Sequence, residues 1–238
     1  MKRIILLGKG TLAIKISNWF LKSDEYEIVG VVPVIPEPSW TDSFMMWAKE
    51  NKLPVISSGH YKDIPNVLDS HYAVDLAFSI FYDKIIKEWF IKKCKQILNL
   101  HNGPLPKYRG VSPINWALKN NEKSHGITIH QITPGIDDGP IISQVVFSIY
   151  PEFDEVKDVY LRSLEYGWTL FKETIYLIDK ITPILQDNSQ AIYYNAKQND
   201  LLLERRNFTK QESINSFVLE NENMLQEYAD RLTKYKEI

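Results

Sequence analysis

Residues 4–7, Ile-Ile-Leu-Leu, form a short unbroken apolar run of the kind a parallel strand shows when both its faces are covered. The run passes through the turn Gly8-Lys9-Gly10-Thr11 into a stretch with helical spacing that ends near Leu21. A second β-rich run covers 26–34 and is closed by Pro33, Pro36 and Pro38. Residues 40–51 read as a helix, 54–56 as a short strand, and 73–81 as a third apolar strand. A helix is expected over 85–95, with Trp89 and Phe90 on its apolar side, and a strand over 96–101. Strand and helix alternate throughout this part, which predicts an α/β fold with a mainly parallel sheet covered on both faces.

From Gly126 the pattern changes. Two longer runs, 127–133 and 141–150, are joined by a proline–glycine turn and read as strands added at one edge of the sheet. Residues 154–181 have helical spacing, with Val156, Tyr160, Leu164, Phe171 and Ile175 among the apolar positions. Beyond that the chain is more polar, and 211–238 reads as an amphipathic helix. The expected organisation is one domain over 1–181 and a partly helical extension over 182–238. The extension's apolar residues, Phe217, Val218, Leu225, Tyr228 and Leu232, suit either a homodimer contact or packing back on the same domain.

Composition narrows the function classes. With 238 residues, 44% hydrophobic and 24% charged, the chain can bury an ordinary globular core. A net charge of −2 and a pI near 6.2 do not attract polyanions, so no nucleic-acid partner is expected. The single cysteine, Cys94, cannot form an intrachain disulfide, and no Cys/His cluster has zinc-site spacing, so no metal is expected. The first residues are too short for a signal-peptide core and no apolar run reaches membrane-spanning length. These features together lead us to expect a soluble cytoplasmic protein.

Gly8-x-Gly10-x-x-Ala13, between a strand and a helix, satisfies the short form of a dinucleotide fingerprint. That fingerprint also needs a carboxylate at the end of the second strand, where this chain has Val31-Val32-Pro33-Val34. A tight strand–helix connection accounts for the glycines equally well. Lys9 is placed to contact a phosphate near the helix start, or to stand as an exposed loop cation.

The residues with chemistry lie in Asn99-Leu-His101-Asn-Gly-Pro-Leu-Pro106-Lys-Tyr-Arg-Gly110 and in Pro134-Gly135-Ile136-Asp137-Asp138-Gly139. Within a strand, Asn99 and His101 point to one face and Leu98 and Leu100 to the other. The C-terminal end of a parallel strand is where open α/β sheets place ligands. Ser112-Pro113 reads as an N-cap and first-turn pair for a helix to about Asn121. A carboxylate beside His101 would favour its charged form, and an amide with an imidazole could donate to a developing oxyanion. Aminolysis of an acyl group needs such a set, with no covalent nucleophile. The bland alternative is a hydrogen-bonded strand-end histidine and an aspartate kept for turn chemistry. His60, His71, His125 and His130 read as structural or surface residues.

Both segments together resemble the 10-formyltetrahydrofolate-dependent formyltransferases. The matching elements are Asn99, His101, Pro106, Tyr108-Arg109-Gly110, Pro113, Trp116, Gly126-Ile127-Thr128 and Asp137-Asp138-Gly139, in order. The loop Asn102-Gly103-Pro104-Leu105 departs from the serine and two leucines more usual there. The resemblance implies a Rossmann-like formyltransferase fold and a catalytic set of Asn99, His101 and Asp137, with Asp137 orienting His101. It implies a pterin pocket formed largely by backbone groups of Ser79, Ile80, Phe81 and Tyr82 and of Pro134, Gly135, Ile136 and Asp138.

Length and acidity argue against an initiator-tRNA formyltransferase, which carries a further basic domain. The first turn lacks the Ser-Asn pair of the glycinamide ribonucleotide transformylases, although Gly139-Pro140-Ile141-Ile142 is close to their wording. The Tyr108-Arg109-Gly110 and Pro113…Trp116 block looks more like the small sugar N-formyltransferases of O-antigen synthesis. Their acceptor would be dTDP-4-amino-4,6-dideoxyglucose or its 3-amino isomer. Lys9, Pro106, Lys107, Tyr108, Arg109 and Gly110 are then the expected substrate contacts. An NAD-dependent dehydrogenase and a non-catalytic nucleotide-sugar-binding module are the readings from other classes.

Overall fold

The computed structural model describes residues 1–64, 74–152 and 154–202. The chain forms β1 (Lys2–Gly8), α1 (Gly10–Leu21), β2 (Tyr26–Pro33), α2 (Phe44–Glu50), β3 (Val74–Ile80) and α3 (Glu88–Ile91). It continues with β4 (Cys94–His101), β5 (Arg109–Gly110), α4 (Pro113–Lys119), β6 (Ser124–Gln131), β7 (Ile141–Ser148), α5 (Val156–Ile175) and β8 (Tyr193–Tyr194). Six strands make one sheet in the order β2-β1-β3-β4-β6-β7. The first four are parallel, and β6 runs antiparallel to β4. The expected α/β architecture, with a mainly parallel sheet and the late strands at one edge, is present.

Two compact units divide the chain. One holds Met1–His101, Thr128–Gln144 and Gly167–Gln186; the other holds Asn102–Ile127, Val145–Tyr166 and the chain from Asp187. Each unit therefore contains residues from before and after position 181. His71 and the apolar positions expected over 211–238 lie outside the described residues.

Helix α1 forms because Leu12, Ala13, Ile16 and Phe20 recur at helical spacing and all of them are buried. Phe20 meets Tyr26 and Phe171 edge-on, and Phe171 also packs on Phe78 of β3. Such ring pairs add roughly 0.5–1.5 kcal/mol each beyond their buried area. The opposite sheet face is covered by a cluster that includes Ile5, Leu7, Tyr61, Ala77, Phe90 and Ile97. Gly8 is required by close approach: a Cβ there would overlap the carbonyl of Ile80 on β3. Gly10, at φ +75°, could carry no side chain without meeting Thr41. Close approach to Ile80 at Gly8, and a positive φ beside Thr41 at Gly10, thus account for both glycines of the first turn.

Several element boundaries differ from expectation. The helix expected over 85–95 is a single turn, because Cys94 already pairs with Val74 as the start of β4. Trp89 consequently stands 43% exposed while Phe90 is buried. Trp40 precedes α2, which starts after Ser43, whose side chain caps it. Residues 54–56 contribute one bridge, Val31 to Val55. Ser112 does not cap α4 through its side chain: it lies at φ +55°, ψ +41°, in the left-handed region, outside the extended geometry a capping serine needs.

Candidate active site

In the first unit, three strands align their polar residues in one row. Ser79 of β3 is the register partner of Asn99 of β4, and Asn99 is the register partner of His130 of β6. Direct partners project on the same face, so all three side chains meet. Ser79 Oγ donates to Asn99 Oδ1 at 2.7 Å, and Asn99 Nδ2 lies 3.2 Å from His130 Nε2. His101 sits two residues further along β4, on the same face, and is buried.

The fourth member arrives from the connection between β6 and β7. Asp137 Oδ2 is 3.5 Å from His101 Nδ1, and its Oδ1 is 3.4 Å from both His130 Nε2 and Asn99 Nδ2. One carboxylate thus faces two imidazoles and one amide. These separations lie at the outer edge of hydrogen-bond range, as is common in sites that tighten around a ligand. His130 Nδ1 donates to the carbonyl of Gln131 at 2.9 Å, because a carbonyl can only accept. In the neutral ring that leaves Nε2 to accept from Asn99.

Asp137 has φ +49°, in the left-handed region. Gln186 holds this turn: its Nε2 donates to the carbonyls of Asp137 (2.8 Å) and Gly139 (2.7 Å). The neighbouring Asp138 is exposed and accepts from Thr133 Oγ1, and its carboxylate occupies the space a side chain at Gly135 would need. Turn chemistry accounts for Asp138; the row of polar strand residues does not include it.

Residues 49–175 match the model of the formyl transferase family. The chain belongs to this family. A bifunctional polymyxin resistance protein, ArnA of Wigglesworthia glossinidia brevipalpis, is 34% identical over 172 residues, 68% of this chain and 25% of that protein. Against two methionyl-tRNA formyltransferases, the chain spans 62% and 58% of their length. The chain therefore covers between a quarter and about three fifths of these curated relatives. Among solved structures, an N-formyltransferase from Helicobacter canadensis, in complex with folinic acid and dTDP-3-aminofucose, superposes with a TM-score of 0.71. Its identity is 29%, over 83% of this chain and 72% of that one. WlaRD, a sugar 3N-formyl transferase determined with dTDP and 5-N-formyl-THF, gives 0.70 and 30%, over 83% and 70%.

The other expected residues of this formyl transferase family member fall as follows. Ser79 and Ile80 end β3, and the chain turns sharply at Phe81, at φ +57°. The Tyr82 hydroxyl donates to Gly59 O and accepts from Tyr61 N, and burial raises its pKa. Pro134, Gly135 and Ile136 are exposed on the β6–β7 turn. Lys9 is partly buried at the end of β1, and burial lowers its pKa against a smaller opposing effect of Asp83.

Pro106, Lys107, Tyr108, Arg109 and Gly110 belong to the second unit, on a loop strapped by residues 188–194. Arg109 and Gly110 pair with Tyr193 and Tyr194, and Arg109 Nη2 donates to Asn188 Oδ1 at 2.9 Å. Tyr108 is buried at φ +62°; its hydroxyl donates to Glu122 at 2.7 Å and accepts from Asn120. Trp116 stacks on Tyr194 with ring centres 4.0 Å apart. His125 Nε2 lies 3.1 Å from the Asn102 carbonyl, in keeping with its structural reading. Lys107 is exposed.

His130 is buried and hydrogen-bonded beside Asn99 and Asp137, a placement the sequence did not give. Its alternation with Thr128, against Ile127 and Ile129 on the other face, was the available signal. Only the pairing of β6 with β4 shows which polar face it joins. Gln186 had no signal, lying 49 residues from the turn it holds. Among the described residues no group of three or more His, Cys, Asp or Glu side chains is arranged to hold a metal ion, and no helix is long and apolar enough to cross a membrane.

Proposed function

We propose that this chain is a sugar N-formyltransferase that moves the formyl group of 10-formyltetrahydrofolate to the amino group of a dTDP-linked amino-dideoxy sugar, with dTDP-4-amino-4,6-dideoxyglucose as the first acceptor to test. The observation that carries the proposal is the convergence of Asn99, His101 and His130 on the carboxylate of Asp137 at the C-terminal end of β4. Family membership and the ligands named for the similar sugar enzymes support it.

The set suits a formyl donor: the Asn99 amide and the His101 imidazole flank the place where charge must be stabilised, with one carboxylate behind them. When bound, the folate supplies an electrophilic formyl carbon. Asn99 Nδ2 donates to the formyl oxygen, where negative charge grows as the amine attacks. His101 takes the amine proton, N10 of the departing tetrahydrofolate regains a proton as its bond to the formyl carbon breaks, and Asp137 holds the imidazole by its Nδ1 side. His130 and Ser79 keep the Asn99 amide in one orientation. Backbone groups of Ser79–Tyr82 and of Pro134–Asp138 hold the pterin. Lys107 and Arg109 provide cations for the diphosphate, on a loop shaped by Pro106, Tyr108 and Gly110.

The test is tetrahydrofolate release with mass detection of the formamide. Acceptors are the 4-amino sugar nucleotide, its 3-amino isomer, dTDP-3-aminofucose, glycinamide ribonucleotide and methionyl-tRNA. Turnover on an amino-sugar nucleotide, unchanged after exhaustive chelation, supports the proposal. Turnover only on the ribotide or the tRNA overturns the acceptor class, and turnover on none overturns the activity.

A further inference from the structure

We propose that Gln186 is a positioning residue for Asp137: its side-chain amide ties together the carbonyls of Asp137 and Gly139, and so sets the direction of the Asp137 carboxylate. The inference rests on the functional reading above. Nothing in a turn of Thr-Pro-Gly-Ile-Asp-Asp-Gly composition dictates that its fifth residue should stay at φ +49°. A non-glycine residue persists there only where its surroundings fix it. A carboxamide has two N–H bonds on one nitrogen, and Gln186 directs them at two carbonyls on either side of Asp138, at 2.8 and 2.7 Å. The intervening peptides cannot rotate without breaking one of these bonds.

The clamp is itself anchored. Two residues before Gln186, Ile184 exchanges both backbone hydrogen bonds with Ile141 at the start of β7, each at 2.8 Å. The strand that follows the turn is therefore bridged to the segment that carries Gln186. Precision matters because the contacts of Asp137 with His101, His130 and Asn99 are all 3.4–3.5 Å long. A shift of about 1 Å in such a group can cost about 100-fold in rate.

The experiment compares wild type, Gln186→Leu, Gln186→Glu, Asp137→Asn and the double variant Asp137→Asn/Gln186→Leu, using tetrahydrofolate release with the best amino-sugar nucleotide. Gln186→Leu removes both donors; Gln186→Glu keeps the shape and guards against a leucine variant that does not fold. Turnover should fall about tenfold or more in each, with KM for the acceptor within about twofold. In the Asp137→Asn background the same leucine change should cost less than about twofold, because no carboxylate remains to be aimed. Equal losses in both backgrounds, or unchanged turnover in both single variants, overturn the proposal. Hydrogen exchange of residues 133–140 provides a second arm independent of activity. Exchange should quicken about tenfold or more in Gln186→Leu while β1 and β3 stay protected; unchanged exchange in the turn also overturns it. A wild type that transfers no formyl group refutes the functional reading alone, and the exchange result still decides the clamp.

Discussion

Asn99 and His130 are direct partners across the antiparallel pair β4–β6, with Asn99 Nδ2 3.2 Å from His130 Nε2. Because the other ring nitrogen donates to Gln131 O and Asn99 Oδ1 is held by Ser79, the amide has one preferred orientation. His130→Ala removes one of these restraints without removing the donor. Turnover should fall by about tenfold, less than for loss of Asn99, with the acceptor KM nearly unchanged. Steady-state kinetics on both variants check the ranking; a His130→Ala enzyme at full rate would confine His130 to a structural role.

His101→Ala should be the most damaging single change, since it removes the proposed base and one N–H donor together. Asn99→Ala removes a donor to charge that exists only in the transition state. Its turnover should fall by about 100-fold or more while substrate affinity stays close to normal. Single-turnover rates beside equilibrium folate binding separate the two effects. A large loss of binding in Asn99→Ala would contradict the assigned role.

Asp137 and Asp138 are adjacent but differently placed. Asp137 faces His101 and His130, whereas Asp138 caps its own turn through Thr133. Asp137→Asn should lower turnover by about 100-fold or more, and Asp138→Asn by less than about threefold. Similar losses in the two variants would show that both carboxylates act together.

In the second unit Asp154 and Arg162 form a buried ion pair, with Nη1 to Oδ2 at 2.7 Å, and Asp154 Oδ2 also accepts from Tyr150 N. Asp154→Ala strands a buried guanidinium, so urea unfolding should show a loss of about 3–5 kcal/mol. The exposed pair Lys92–Glu88, screened by solvent, should contribute far less by the same measurement. If the two losses prove alike, burial does not govern the Asp154 pair.

Burial pushes the Cys94 thiol up to about 12. In the unfolded chain a thiol titrates near about 8.5. The raised folded value gives stability that is complete below about pH 8.5 and is lost as pH rises towards 12, because the unfolded thiol ionises first. Cys94→Ala should therefore show a flatter decline of its urea midpoint between pH 8 and pH 10.5. A thiol reagent at pH 8 should label native protein far more slowly than protein in urea. Rapid native labelling would mean that the strand opens readily at that position.

The strand–helix alternation, the apolar faces of β1, β3 and α1, and the placement of Asn99 and His101 on one face of β4 were all legible, since each depends on side-chain periodicity along a single element. The Asn-x-His, Tyr-Arg-Gly and Asp-x-Gly spacing was legible as a family resemblance for the same reason: it is local order along the chain. The short α3 was not legible, because pairing of Cys94 with Val74 overrode a helical pattern. Nor was the strap of 188–194 over the loop that carries Arg109, which joins segments 79 residues apart.

By itself the sequence determined which residues could do chemistry and on which face of their own strands they lie. Only the tertiary structure decided that His130 joins Asn99 and that Gln186 holds the turn of Asp137. Strand register and loop capture are contacts between segments about 30–50 residues apart, set by which surfaces pack together, and periodicity within one segment carries no record of them.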